Sequence, residues 1–127
     1  PWKFVVVLNE QVKSRLAMAA KQKWINGARV IIAVIADRSR SEAEYGERGR
    51  DLHCIQDTAA AMQNMMLAAT ALGLGSCWIG AFDMQAARDF AGLGAGWEPV
   101  AFTPLVYPAS VRPEKRRKPL DELMTYL

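Results

Sequence analysis

The feature that most constrains this chain is a run from Thr58 to Phe82 without a single charged residue. A stretch of that length must be buried in a core or in a membrane. Gln63 and Asn64 lie inside it, and Gly73, Gly75 and Gly80 break its second half, which favours a protein core over a bilayer span. With 127 residues and 51% hydrophobic content, the chain fits one domain with a modest core. It begins at Pro1 without a methionine and so reads as the remainder of something longer.

The run divides in two. From about Leu52 to Leu72, Ile55, Ala59, Met62, Met66 and Ala69 recur at spacings of three and four. That predicts a long, central, buried helix, packed on several sides and available to pair with a second copy. Gly73 and Gly75 are expected to stop it. Ser76 to Ile79 then reads as a short strand.

Around this centre the pattern alternates. Lys3 to Leu8 is a nearly continuous apolar run, expected as a strand covered on both faces. Asn9 can cap a helix from Glu10 to about Lys21, with Val12, Leu16 and Ala19/Ala20 inward and Lys13, Arg15 and Lys21 facing water. Val30–Ala36 reads as a second buried strand, Met84–Phe90 as a short helix and Pro99–Val106 as a third main strand. Between them, residues 37–51 carry nine charges in fifteen positions, which predicts a mobile loop. Intermixed helices and strands in one unit give an α+β or α/β class.

Familiar chemical signatures fail on spacing. Gly73-Leu74-Gly75-Ser76-Cys77-Trp78 puts tryptophan where a dinucleotide fingerprint needs its third glycine, and it leaves a helix instead of entering one. No GxSxG elbow is formed. Adjacent His53 and Cys54 point in different directions on a helix, so they make no nucleophile–base pair. One histidine and two cysteines offer no conventional metal set. No catalytic side chains are assigned, and an enzyme with this sequence would take its chemistry from a cofactor.

The net charge of +3 is concentrated in residues 112–118 of the C-terminal arm (109–127), where Arg112, Lys115, Arg116, Arg117 and Lys118 face Glu114 alone. No aromatic residue is interleaved there, which weighs against nucleic acid. Two cysteines without CxxC spacing or a leader suggest a reduced, cytoplasmic protein with no membrane partner.

Several segments together resemble the FMN-dependent nitroreductase family. Pro1-Trp2-Lys3-Phe4-Val5-Val6-Val7 is similar to its Pro-Trp-x-Phe opening strand. Ile55-Gln56-Asp57-Thr58 and the alanine- and methionine-rich stretch after it are similar to its central dimer helix. Ala71 to Asp83 resembles the segment beside the flavin ring, and Pro104-Leu105-Val106-Tyr107-Pro108 a strand end where valine replaces the usual glycine. Lys115-Arg116-Arg117-Lys118-Pro119 resembles a basic phosphate-binding motif. The resemblance implies a three-layer α/β/α sandwich with a central mixed sheet, a long buried dimer helix and an extended C-terminal arm. It further implies a homodimer holding FMN, reduced by NADH or NADPH and passing hydride to a nitroaromatic, quinone or similar small acceptor by ping-pong kinetics. The cofactor-binding residues it implies are Pro1, Trp78, Ile79, Gly80, Ala81, Lys115 and Arg117. The family's opening Arg-rich segment has no counterpart here, so a non-catalytic dimerisation domain with weak flavin binding stays open as the alternative.

Overall fold

The structure, a computed structural model, describes residues 1–110, 113 and 115–127, and leaves out the side chain of Ala91. Arg112 and Glu114 of the basic arm therefore lie outside the described residues.

Strand β1 (Trp2–Val7) leads through α1 (Glu10–Ala19) and a 3-10 turn (Lys23–Gly27) to β2 (Val30–Asp37). Helix α2 (Arg38–Arg48) and a π turn (Gly49–His53) run into α3 (Cys54–Ala71), followed by β3 (Gly75–Ser76), α4 (Met84–Ala91) and β4 (Trp97–Val106). The sheet order is β1-β2-β4-β3, and every strand pair is antiparallel. The expected mixed sheet is thus corrected to an antiparallel one among the described residues. The class is α+β, with helices on both faces.

One face of the sheet carries the main core. Leu16 and Ala17 of α1, Ile25, and Ile31 and Ala33 of β2 pack with Phe102 and Ile79, and Phe82 and Phe90 close the edge. On the other face, Met62, Met65 and Met66 of α3 pack on Val34 and Ala101.

Local signals explain the helix boundaries. Asn9 Oδ1 accepts from the amides of Gln11 (2.9 Å) and Val12 (3.2 Å), capping α1. At the end of α3, Gly73 adopts φ 73°, Gly73 N donates to Thr70 O (3.0 Å) and Leu74 N to Ala69 O (2.8 Å). That double closure needs the left-handed conformation glycine supplies. Gly75 has no such role: it opens β3, and a Cβ there would meet Val106 Cγ2 at 3.1 Å.

Four further expectations are corrected. Strand β1 is an edge strand, so it is covered on one face only; Trp2, Phe4 and Val6 are 46%, 44% and 59% exposed. Helix α3 is likewise buried along one stripe, Cys54, Thr58, Met62 and Ala69, with Leu67 exposed on the other side. Lys13 is 3% exposed instead of facing water. Its Nζ donates to Ala28 O (2.8 Å) and pairs with Glu10 Oε1 (2.6 Å), so the buried charge is satisfied and ties α1 to the entry of β2.

The fourth correction concerns residues 37–51: Asp37 ends β2, and residues 38–51 are helical with a kink at Gly46, where φ is 63°. Asp37 Oδ1 accepts from Arg40 N (3.0 Å) and starts α2. The charges pair off across the fold: Arg38 Nε lies 2.5 Å from Glu98 Oε2, Arg88 3.7 Å from the same oxygen, and Arg50 reaches Glu42 (3.1 Å) and Asp51 (2.9 Å). Tight packing completes the turn, because a Cβ on Gly49 would collide with the Ser41 carbonyl. The Arg50 guanidinium, by hydrogen bond and charge, holds the Asp51 carboxyl below its ordinary value.

Candidate functional site at the Cys77 to Ala81 segment

After β3 the chain leaves regular structure but stays held at alternate residues. Cys77 N donates to the buried Thr103 Oγ1 at 3.3 Å. Ile79 exchanges two hydrogen bonds with Phe102, each 3.0 Å, as an isolated antiparallel bridge. Phe102 stands opposite Ala33, and Ala33 opposite Val5, so this bridge is anchored across the whole sheet. Its side chain is buried in the main core, where the Phe82 and Phe102 rings lie 5.1 Å apart.

Beyond Ile79 the next tie is the Asp83 amide, which donates to Ala19 O at 2.9 Å, and the residues between successive anchors face outward, Trp78 before Ile79 and Gly80 and Ala81 after it. Trp78 is 39% exposed, and Gly80 and Ala81 are exposed. Among the described residues, neither the Gly80 nor the Ala81 amide donates to a protein acceptor. Two main-chain donors thus sit at the surface on a backbone whose neighbours are fixed. A methyl group on Gly80 would stand 3.1 Å from Trp78 Nε1 and 3.5 Å from Cδ1, so the indole lies directly beside this backbone. The absence of a side chain at Gly80 is what lets another group approach the amides.

Ile79 takes a different place from its neighbours. Its amide and carbonyl are consumed by Phe102 and its side chain is core, so it positions the segment and presents no free donor. The anchoring threonine was missed in the sequence, although a polar Thr103 inside the apolar run Ala101 to Val106 was its visible signal.

The remaining expected site residues lie elsewhere. Pro1 O accepts from Asp37 N (2.7 Å) at the β1 edge, and Asp37 stands opposite Trp97. Ile79 is bridged to β4 from its far side, five residues further along. Three strand spacings and that offset put Pro1 on the order of 20 Å from the segment. Lys115 and Arg117 are exposed, without an ion-pair partner among the described residues, whereas Lys118 pairs with Glu122 at 3.6 Å.

Other features do not compete for the chemistry. Cys54 is buried, its Sγ donates to Arg50 O (3.0 Å), and burial pushes the thiol up, the reverse of an activated nucleophile. An open cleft of about 450 Å³ between α1 and α4, lined by Arg15, Met18, Asp83 and Phe90 among others, excludes residues 77–81. Among the described residues, no helix is long and apolar enough to cross a membrane.

Comparison with known proteins agrees with the fold and the segment order. The sequence model of the Nitroreductase family matches residues 1–107. A Methanocaldococcus jannaschii protein that carries a nitroreductase name is 40% identical over 80 residues, covering 61% of this chain and 39% of the relative. An Archaeoglobus fulgidus protein, named NADH dehydrogenase/NAD(P)H nitroreductase, is 33% identical over 98 residues, covering 73% of this chain and 53% of the relative. The chain therefore spans about half the length, or less, of these curated relatives. A solved nitroreductase family protein from Streptococcus pneumoniae superposes with TM-score 0.85 at 22% identity, over 99% of this chain and 78% of that one, a likeness of fold. With a family match over residues 1–107 and a fold to accord with it, the chain belongs to the nitroreductase family.

Proposed function

We propose that this chain is the flavin-edge part of an FMN-dependent oxidoreductase. It would work as a homodimer, take reducing equivalents from NADH or NADPH, and pass them to a nitroaromatic, quinone or similar acceptor in ping-pong fashion. The observation that carries this reading is the pair of unspent amides at Gly80 and Ala81, fixed by the anchors on either side. FMN supplies the hydride chemistry when bound. A flavin edge that gains negative charge is stabilised by preorganised main-chain donors, and Gly80 leaves room for it. Trp78 would wall the same edge, and Ile79 would set the position of the donors.

Lys115 and Arg117, exposed and without an ion-pair partner among the described residues, suit a phosphate, with Arg117 able to make a bidentate contact. Pro1 and the segment are too far apart within one protomer to share one ligand. The resemblance implies a homodimer holding FMN, and two exposed surfaces support a second copy. One is the uncovered face of β1 with the outer side of α3; the other is the arm, whose Leu120, Leu123, Met124 and Tyr126 are exposed. The two free thiols accord with a reducing, cytoplasmic setting.

The test is reconstitution. The chain mixed with FMN and passed through a desalting column should retain flavin absorbance and oxidise NAD(P)H when a quinone is added. Gly80→Ala, which crowds both the indole and the flavin edge, should weaken FMN binding about tenfold or more. A colourless dimer with no NAD(P)H oxidation would overturn the oxidoreductase reading and leave a dimerisation domain.

A further inference from the structure

The indole of Trp78 is not only a wall. Its Nε1 lies beside Gly80, and among the described residues it has no acceptor, whereas the Trp24 indole donates to Gln22 Oε1 at 2.8 Å. Three donors of one short segment are therefore left unspent at one surface: the Gly80 amide, the Ala81 amide and the Trp78 indole N–H. The anchors that spend the Cys77 and Ile79 amides fix the backbone that carries all three.

Two amides suffice for one ligand edge. We infer that the third donor, Trp78 Nε1–H, serves the electron acceptor and selects substrates whose reduction puts negative charge on oxygen. Substrate specificity in this segment then has a side-chain component. The inference rests on the oxidoreductase reading for its substrate class. A quinone that gains a hydride becomes a hydroquinone monoanion, with the electron pair on oxygen, and a proton from solvent completes the hydroquinone. The hydride equivalent would come from NAD(P)H, by the chemistry that FMN would supply when bound. A donor aimed at that oxygen stabilises the product-like charge more than the neutral quinone, which is the differential binding that accelerates a reaction. An acceptor that places no charge on oxygen gains nothing from it.

The test needs no flavin and so separates from the test of the oxidoreductase reading. The chain contains four tryptophans, Trp2, Trp24, Trp78 and Trp97, and Trp78→Phe identifies the Trp78 indole N–H resonance by its loss. The probe is 4-nitrophenolate, at a pH where the phenol is ionised, with 4-nitroanisole as its neutral counterpart. The phenolate should move the Trp78 indole resonance downfield and saturably, and the anisole should not. In Trp78→Phe, which keeps an aromatic ring, phenolate binding followed at the Gly80 and Ala81 amides should weaken about tenfold. If Trp78→Phe loses its folded spectrum, the indole resonance of the parent decides the matter, assigned by exclusion from Trp2→Phe, Trp24→Phe and Trp97→Phe. An unmoved Trp78 indole resonance, or equal phenolate binding in a folded Trp78→Phe, overturns the inference. Loss of FMN binding with the indole response intact overturns only the oxidoreductase reading.

Discussion

The two faces of the sheet are finished to different degrees. On the α1 and α4 face, Leu16, Ile25, Ile31, Ile79 and Phe102 are fully enclosed in one cluster. On the α3 face, one helix covers β2 and β4, and the Trp2, Phe4 and Val6 side chains of β1 stand in solvent. The first face is a core in its own right. The second is half of one, and an apolar sheet face of that kind needs a covering surface. The contrast teaches that the enclosed core lies on one side of the sheet, while the other side leaves an apolar strip exposed.

Breaking the closed face should therefore cost the most. Phe102→Ala removes a side chain that is 1% exposed and packs on Phe82, and leaves the main-chain bridge to Ile79 in place. The expected loss is about 3–5 kcal/mol, read from urea unfolding. Phe4→Ala in the same assay, at concentrations where the chain is monomeric, should fall within about 0.5 kcal/mol of the parent. Equal losses at the two phenylalanines would erase the distinction between the faces.

Lys13→Met tests whether the closed face depends on its buried charge. The methionine keeps much of the packing volume, but the Ala28 carbonyl loses its donor at 2.8 Å. An unsatisfied buried carbonyl costs about 1–3 kcal/mol, so the variant should unfold at lower urea than the parent. A variant as stable as the parent would show that this lysine is incidental to the attachment of α1.

How much of this was legible depends on where each residue's partner lies. The Asn9 cap, the Gly73 stop, β2 and β4 were readable because their causes are local: a side chain two or three residues from the amides it caps, a glycine at the helix end, runs of β-branched residues. The burial of Lys13 was not, since its acceptor comes from Ala28, in another element. Helix α2 was misread as a loop because its charges are compensated by Glu98 of β4 as well as by near neighbours. The exposure of β1 follows from strand order, which alternation alone does not encode. At the site, the small residues Gly80 and Ala81 were visible, but which amides are spent depends on the Ile79–Phe102 bridge and the Thr103 hydroxyl.

Breaking the open face should leave folding alone and change association. In Phe4→Ser combined with Val6→Ser, the apolar strip of β1 becomes polar without disturbing the β1–β2 ladder, whose bonds are main-chain. Each such side chain is worth about 1.5–3 kcal/mol when fully buried. If a second copy covers the strip, sedimentation should show the dimer dissociation constant rising tenfold or more, with monomer unfolding unchanged. An unaltered dimer would move the interface away from β1, to the arm or the outer side of α3.

The smallest effect belongs to the ionic segment between the two faces, at Asp51. Its carboxyl is held below the ordinary carboxylate value, first by the hydrogen bond from Arg50, with the Arg50 and Arg38 charges adding to it. A carboxyl whose folded pKa is depressed contributes stability that is fully present above its unfolded value and is lost as pH falls through the folded one. Unfolding midpoints of the parent and of Asp51→Asn should therefore differ slightly at neutral pH and converge below the carboxylate range. Added salt should shrink the neutral-pH difference too, because the pair is solvent-exposed and screened. A gap between the two proteins that persisted in acid would have to come from packing of the π turn, not from charge, and would place Asp51 with the closed face.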